Sequence, residues 1–263
     1  MAETVTAMPP AELGPDLTGV FTMPVISPLS ERPPYRYRDC RAVNLLFRTD
    51  PAVMEGLVPA PLSADPEKPL ILYVGHYEFA DFEMTYNEAG LLAPVRLGGV
   101  PAGSFAVVLY LDTANPIVGG REIYGWPKKD AERVRFDERE NRITAEVTRY
   151  GRRIIEVSFE AGETVEPIPP RPPAPIHFLK LIPSIEKAGK PDVLKLNSLV
   201  IDPDVITSLR VGRGTLVFGE SPYDSFLSRI PVTQVVYSEA ITHDFTLGYG
   251  RVVHDYLAAA ART

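Results

Sequence analysis

Arg142-Ile143-Thr144-Ala145-Glu146-Val147-Thr148-Arg149-Tyr150 is the stretch on which the fold class turns. Ile143, Ala145 and Val147 fall on one face of an extended chain, and Arg142, Thr144, Glu146 and Thr148 fall on the other. That period of two is what a half-buried strand requires. Gly151 supplies a turn, and Ile155, Val157 and Phe159 repeat the alternation, which predicts an antiparallel hairpin with one wet face. Further β-like runs lie on both sides: Ala42–Arg48, Leu70–Ala80 and Ser104–Leu111 before it, Asp192–Ile201, Thr215–Phe218 and Val232–Leu247 after it. Ser104–Leu111 is apolar nearly throughout, as in a buried strand. Helix signals are few. Asp50-Pro51 offers a cap and a first-turn proline for a short helix to about Leu57. Asn115-Pro116 opens another toward Tyr124, stopped by Gly125 and Pro127. Gly250–Ala260 reads as a third, with Val252, Val253, Tyr256 and Leu257 on one face. The expectation is one mainly β domain, its antiparallel sheet closed or strongly curved, with a few outer helices.

Composition narrows the function classes. The 263 residues are 45% apolar and 23% charged, enough apolar material for a sizeable core. Twenty-seven prolines favour short elements joined by turns. Six of them lie between Glu166 and Pro175, read here as a polyproline crossing over one domain's surface. The net charge of −7, without a long basic run, excludes nucleic acid and anionic membrane as expected partners. Cys40 is the sole cysteine, so no intramolecular disulfide can form, which fits a cytoplasmic protein. Met1 to Val20 lacks the pattern of a signal peptide, and no run approaches the ~20 apolar residues of a membrane span. Residues 1–34 read as an extended arm, with plain disorder as the alternative, ahead of a single domain over 35–263. His76, His177, His243 and His254 show no ligand spacing, so no metal site is expected. Gly248-Tyr249-Gly250 lacks the context of a dinucleotide site.

The informative motif is Gly119-Gly120-Arg121-Glu122-Ile123-Tyr124-Gly125-Trp126-Pro127-Lys128-Lys129. Among seven lysines it holds the only adjacent pair, beside the only tryptophan. A lysine attacks a carbonyl only as the free amine, which at an ordinary pKa of ~10.4 is scarce at neutral pH. Low-polarity walls from Trp126 and Pro127, and the charge of the second lysine, would both favour the free form. Taken alone, a Pro-Lys-Lys step is more often a solvated turn.

Gly120-Arg121-Glu122 followed by Pro127-Lys128-Lys129 resembles the active-site segment of the acetoacetate decarboxylase family. Phe47-Arg48-Thr49-Asp50, Tyr86-Asn87-Glu88-Ala89-Gly90, Leu179-Lys180-Leu181-Ile182-Pro183 and Val253-His254-Asp255-Tyr256-Leu257 match in order, from about Tyr35 onward. A lysine activated by desolvation or a neighbouring cation is that family's known feature, not a deduction from this sequence. The resemblance implies a curved antiparallel β-barrel or cone with outer helices, usually in a homo-oligomer. It implies Lys128 as the Schiff-base lysine, Lys129 as its electrostatic neighbour and Glu88 as the pocket glutamate. It implies no cofactor, because a protonated imine is itself the electron sink.

The match departs at two positions. Aligned through Arg48-Thr49-Asp50, an arginine of the family's first core strand falls on Cys40, with Arg38 and Arg41 as neighbours. A second glutamate falls on Tyr73. The expected reaction is therefore lysine Schiff-base lyase chemistry on a small keto acid, leaning to aldol and dehydration steps on pyruvate-like substrates. Decarboxylation of a β-keto acid and a non-catalytic binding barrel are the alternatives. Arg121 is the candidate to hold a substrate carboxylate. Tyr249 is a candidate acid or base, and Glu122, Tyr73 and Trp126 are candidates to contact substrate.

Overall fold

The computed structural model describes residues 21–79, 81, 84–186, 188–201 and 203–260. The chain divides into two units, Met1–Arg32 and Pro33–Thr263. In the first, positions 1–20 of the expected arm lie outside the described residues. Its described part is a closed turn rather than an extended run. Thr22 Oγ1 donates to the Ser30 carbonyl at 3.0 Å and accepts from the Ser30 amide at 3.3 Å, and the Arg32 guanidinium sits 5.0 Å from the Phe21 ring centre.

The second unit is mainly β. Its strands are β1 (Tyr35–Arg48), β2 (Leu62–Ala64), β3 (Leu70–Phe79), β4 (Met84–Leu97), β5 (Val100–Leu111), β6 (Lys128–Asp130), β7 (Arg133–Arg139), β8 (Arg142–Arg149), β9 (Arg152–Thr164), β10 (Pro175–Pro183), β11 (Pro191–Val200), β12 (Pro203–Phe218), β13 (Gln234–Leu247) and β14 (Arg251–Asp255). They form one sheet in the order β14-β11-β10-β5-β4-β3-β1-β13-β12-β9-β8-β7, with β2 added to β4 and β6 to β5. Pairing is antiparallel except where β5 meets β10 and β6. The predicted hairpin is β8–β9, with Ile143, Ala145 and Val147 buried as the alternation requires. The sheet is open but curls. Asn87 Nδ2 on β4 donates to the Val134 carbonyl on β7, at the far end of the strand order, and the Val134 amide donates to Asp112.

The two faces of β1, β3, β4 and β5 are both covered, and they differ. Val43, Leu45, Phe47, Leu70, Leu72, Val74, Ala89, Leu91, Val108 and Tyr110 join a dry, largely aliphatic core. The alternate positions give an aromatic cluster containing Tyr35, Tyr37, Tyr86, Trp126, Phe178 and Phe245. Such double burial makes the register strict, since a one-residue slip would exchange the faces. β1 breaks its own alternation at a bulge between Tyr37 and Cys40, where Asp39 has a φ of 49°.

The helices are short. Helix α1 (Pro51–Glu55) starts as its sequence predicts, with Asp50 accepting from the Ala52 amide at 2.7 Å. Helix α2 (Ala114–Gly119) continues into a π-helical turn, Gly120–Tyr124, ended by Gly125 at φ 93°. The helix expected over Gly250–Ala260 is corrected: residues Arg251–Asp255 are strand β14, paired with β11, and only Tyr256–Ala260 is helix α3. The adjacent β-branched Val252 and Val253 suit a strand, and the open edge of β11 supplies hydrogen bonds that outweigh the helical pattern. Among the described residues no helix is long and apolar enough to cross a membrane.

Candidate active site

The local sequence explains how Lys128 is aimed. The Gly120 carbonyl accepts from both the Gly125 and Trp126 amides at 3.0 Å, folding the chain back after the π-helical turn. Strand β6 then pairs in parallel with β5, Lys128 opposite Leu109. Arg121 Nη1 donates to the Lys128 carbonyl at 2.9 Å and fixes the strand's start. The Lys128 side chain runs back across Gly120, where an added Cβ would lie 2.7 Å from Lys128 Cδ and 2.8 Å from Cε. Gly120 is thus the floor on which the lysine lies. Gly120→Ala is expected to slow reductive trapping on Lys128 by about 10²-fold, the scale of an ångström of misplacement. Adduct formation at the wild-type rate would show that the floor is not needed.

Lys128 is buried, and its Nζ is 2.9 Å from Glu88 Oε2. The contact is one of charge. Its angles fall outside hydrogen-bond geometry, so Glu88 Oε2 accepts no hydrogen bond among the described residues. Glu88 Oε1 accepts from the Tyr73 hydroxyl at 2.6 Å. The Tyr73 ring crosses Gly90, its partner on β4, where an added Cβ would meet the ring at 2.4 Å. Burial, reinforced by the negative charge of Glu88, pushes the Tyr73 phenol well above its usual range, so it remains a proton donor to Glu88. The Tyr86 ring centre lies 5.7 Å from Lys128 Nζ, and Tyr86 stacks on Tyr77 at 5.4 Å.

These groups line a cavity of about 260 Å³ walled chiefly by apolar and aromatic side chains, among them Tyr37, Leu109, Trp126, Ile176, Ile241 and Phe245. Asn44, Arg171 and His243 are its other polar lining. Burial lowers the His243 pKa and keeps the ring neutral, and its Nδ1 has no hydrogen-bond partner among the described residues. A larger open depression of about 630 Å³ over β7, β8, β9 and β12 has mixed-charge walls and contains no buried amine.

The sequence-based candidates divide. Lys128, Glu88, Tyr73 and Trp126 meet in the cavity. Lys129 does not, because successive residues of a strand point to opposite faces. Its Nζ contacts Asp224 and sits 5.9 Å from the Tyr110 ring on the core side, so the expected electrostatic neighbour of Lys128 does not share its cavity. Arg121 and Glu122 are exposed on the π-helical turn, and Arg121 holds backbone rather than facing the cavity. Tyr249 is 63% exposed and lines a separate cleft with Ile123, Lys180 and Asn197. Arg121, expected to bind a carboxylate, Glu122, expected to contact substrate, and Tyr249, expected as an acid or base, are thus not among the residues lining the cavity with Lys128. Neither neighbour of Cys40 substitutes for the missing arginine in the cavity. Arg38 donates to the Tyr37 and Phe245 carbonyls, and Arg41 faces Glu138 at 3.9 Å. Cys40 itself is fully buried, and burial pushes its thiol up to about 12.

The family model for acetoacetate decarboxylase (ADC) matches residues 22–257. The chain belongs to the acetoacetate decarboxylase family. It is therefore a lyase. It is 30% identical over 254 residues to the acetoacetate decarboxylase of Burkholderia multivorans, covering 90% of this chain and 96% of that protein. A solved acetoacetate decarboxylase superposes with a TM-score of 0.80 at 23% identity, over 91% of this chain and 97% of the other. The enduracididine biosynthesis enzyme MppR, solved with pyruvate, superposes at 0.77 and 17% identity, over 92% and 99%. At these identities the two structures establish the fold of the family, a curved and mainly β architecture. The residues that sequence reasoning missed are Asn44, Tyr77 and Arg171; His243, beside Asp244, reads from sequence as a polar patch near a strand end rather than as cavity lining. Only Arg171 carried a usable signal, as the sole charged residue between Pro167 and Pro175.

Proposed function

We propose that the protein forms a Schiff base between Lys128 and a keto acid. The observation that carries this reading is the buried Lys128 Nζ, 2.9 Å from a Glu88 oxygen that accepts no hydrogen bond among the described residues. Glu88 Oε2 takes a proton from the ammonium, and the free amine attacks the keto carbon. The keto oxygen leaves as water and a protonated imine remains. Apolar walls around Lys128 limit the water that reaches the imine before the carbon–carbon step.

From that imine two reactions diverge. Loss of a proton from the neighbouring carbon gives an enamine that adds to an aldehyde. Elimination of water then gives an unsaturated imine, and addition of water to its C=N bond releases the unsaturated keto acid and frees Lys128. Each step needs a positioned proton carrier, typically worth about 10²–10⁴ in rate. The Tyr73–Glu88 pair supplies one beside the amine, and this favours condensation and dehydration. Decarboxylation is the second reading, favoured by the names of the relatives at 30% identity. It needs departure of carbon dioxide, with its bonding electrons passing to the imine, then protonation of the enamine carbon and hydrolysis of the resulting imine to free Lys128.

Incubation with pyruvate and an aldehyde is expected to give a conjugated ultraviolet absorbance, with slow or no release of carbon dioxide from acetoacetate. Rapid decarboxylation of acetoacetate without that absorbance would reverse the order. The substrate's identity, assembly into a homo-oligomer and a cytoplasmic location belong to the same proposal. Chromatography with light scattering tests the assembly.

A further inference from the structure

The cavity has a second polar group, built around Glu239 on β13 rather than around Glu88 on β4. Glu239 on β13 is buried and accepts four hydrogen bonds: from Arg171 Nη1 at 2.7 Å, Arg171 Nη2 at 2.6 Å, Asn44 Nδ2 at 2.9 Å and the Tyr237 hydroxyl at 2.9 Å. Burial alone would raise the Glu239 carboxyl. The Arg171 and Asn44 donors outweigh it and keep the group charged. Glu239 therefore holds Arg171 in place and has little capacity left for a ligand. Arg171 keeps its own capacity, because a guanidinium has five N–H donors and Glu239 uses two. Its side chain is 35% exposed and lines the same cavity as Lys128. The flanking Pro169-Pro170 and Pro172-Pro173 restrict the backbone, so the arginine is presented with little entropy left to lose. His243, neutral and with an unpartnered Nδ1, lines the cavity from the same strand as Glu239.

The register gives the distance scale. Glu88 pairs with Gly75, Gly75 with Ala42, and Ala42 with Ile241, which is two residues from Glu239. Three inter-strand steps amount to roughly 14 Å along the sheet, less the inward reach of the side chains. In pyruvate the carboxylate is bonded to the keto carbon, and in acetoacetate one methylene intervenes. Neither carboxylate can stand more than about 3 Å from a carbon attached to Lys128. A carboxylate that close to the imine carbon stays at the Lys128–Glu88 end, whereas Arg171 is tied to the Glu239 end.

We propose that Arg171, assisted by His243, is the far-end anchor of the cavity, and that it selects an extended keto acid bearing a second carboxylate several bonds from the reacting carbonyl. The apolar walls between the two ends accommodate the intervening chain. The inference rests on the reading of Lys128 as the imine-forming residue, and its test separates the two.

Calorimetry compares 2-oxosuberate with 2-oxooctanoate, equal in length and differing in the terminal carboxylate. Borohydride trapping and peptide mass spectrometry are run on the same samples. The diacid is expected to bind about 10-fold or more tighter, the scale of one charge-assisted hydrogen bond. The paired variant Arg171→Met with Glu239→Gln, which leaves no buried unpaired charge, is expected to erase that preference. Arg171→Lys keeps a cation opposite Glu239 and loses the fork geometry; it is expected to lose most of the preference and serves if the pair does not fold. Equal affinity for the two acids in the wild type, or a preference retained in the variants, overturns the anchor. A preference seen by calorimetry with no adduct on Lys128 overturns the imine reading and leaves the anchor standing.

Discussion

Lys128→Ala is expected to abolish every borohydride-trappable adduct and to lower turnover by roughly 10³–10⁶-fold, the scale for loss of a covalent nucleophile. Among the described residues no other amine lines the cavity with Glu88 and Tyr73. Lys128→Arg should be equally inactive, because a guanidinium stays protonated and cannot form an imine. Lys129→Ala is expected to keep the adduct. Its amine lies on the opposite face of β6, against Asp224, so removing it alters the core side rather than the cavity. Mass spectrometry of trapped peptides decides the matter. An adduct that survives in Lys128→Ala, or disappears only in a folded Lys129→Ala, would place the reacting amine one residue away.

The second large effect concerns stability. Asp224→Ala is expected to destabilise the fold by about 3–5 kcal/mol, the usual result of removing one partner from a buried charge cluster. Asp224 is almost fully buried and accepts from the Tyr110 hydroxyl at 2.8 Å and Arg149 Nη1 at 2.7 Å, as well as from Lys129. Without it, Lys129 loses its counter-ion and Arg149 keeps only the longer contact to Asp130 at 3.4 Å. Thermal melting should fall by roughly 6–20 °C, while imine trapping at low temperature persists. The same cluster predicts a pH dependence. Burial alone would raise the Asp224 carboxyl, but the Lys129, Arg149 and Tyr110 donors outweigh it and hold it below the usual range. A carboxyl depressed in the folded state contributes its stability in full above the unfolded value of ~3.9. That contribution is lost as pH falls below this value through the folded one. The melting difference between wild type and Asp224→Ala should therefore narrow below about pH 4. A constant difference down to pH 2 would show that the carboxylate's charge is not what stabilises the core.

How much of this was legible before the structure depends on how local the signal was. The β8–β9 hairpin was legible because its period, turn and wet face all lie within twenty residues. The N-cap of α1 and the stop at Gly125 were legible for the same reason. The terminal segment misled because alanines and spaced apolar residues imitate a helix, and only the distant edge of β11 decides otherwise. Lys128 was found through its motif. The orientation of Lys129 follows from strand alternation, but β6 is three residues long and exists only through its parallel partner β5, which no local pattern announces. Tyr73 was singled out as a departure from the family pattern. Its bond to Glu88 depends on Gly90 two strand positions away, a contact that sequence spacing alone does not reveal. Arg171 joins Glu239 across 68 residues of chain, so its partner could be known only once β13 was placed beside β1.

The two unlike faces of the sheet have a consequence for inheritance and for engineering. Along β1, β3 and β13, neighbouring residues answer to different demands: Val43 and Leu45 fill the core while Ala42 and Asn44 border the cavity. A lineage can therefore rewrite which molecule is accepted by changing every second residue, leaving the packing that keeps the barrel-like wall upright to its neighbours. The same alternation defines a compact mutational library. Variation at positions 44, 77, 176 and 241 samples new carbonyl substrates on a scaffold whose folding is entrusted to other side chains.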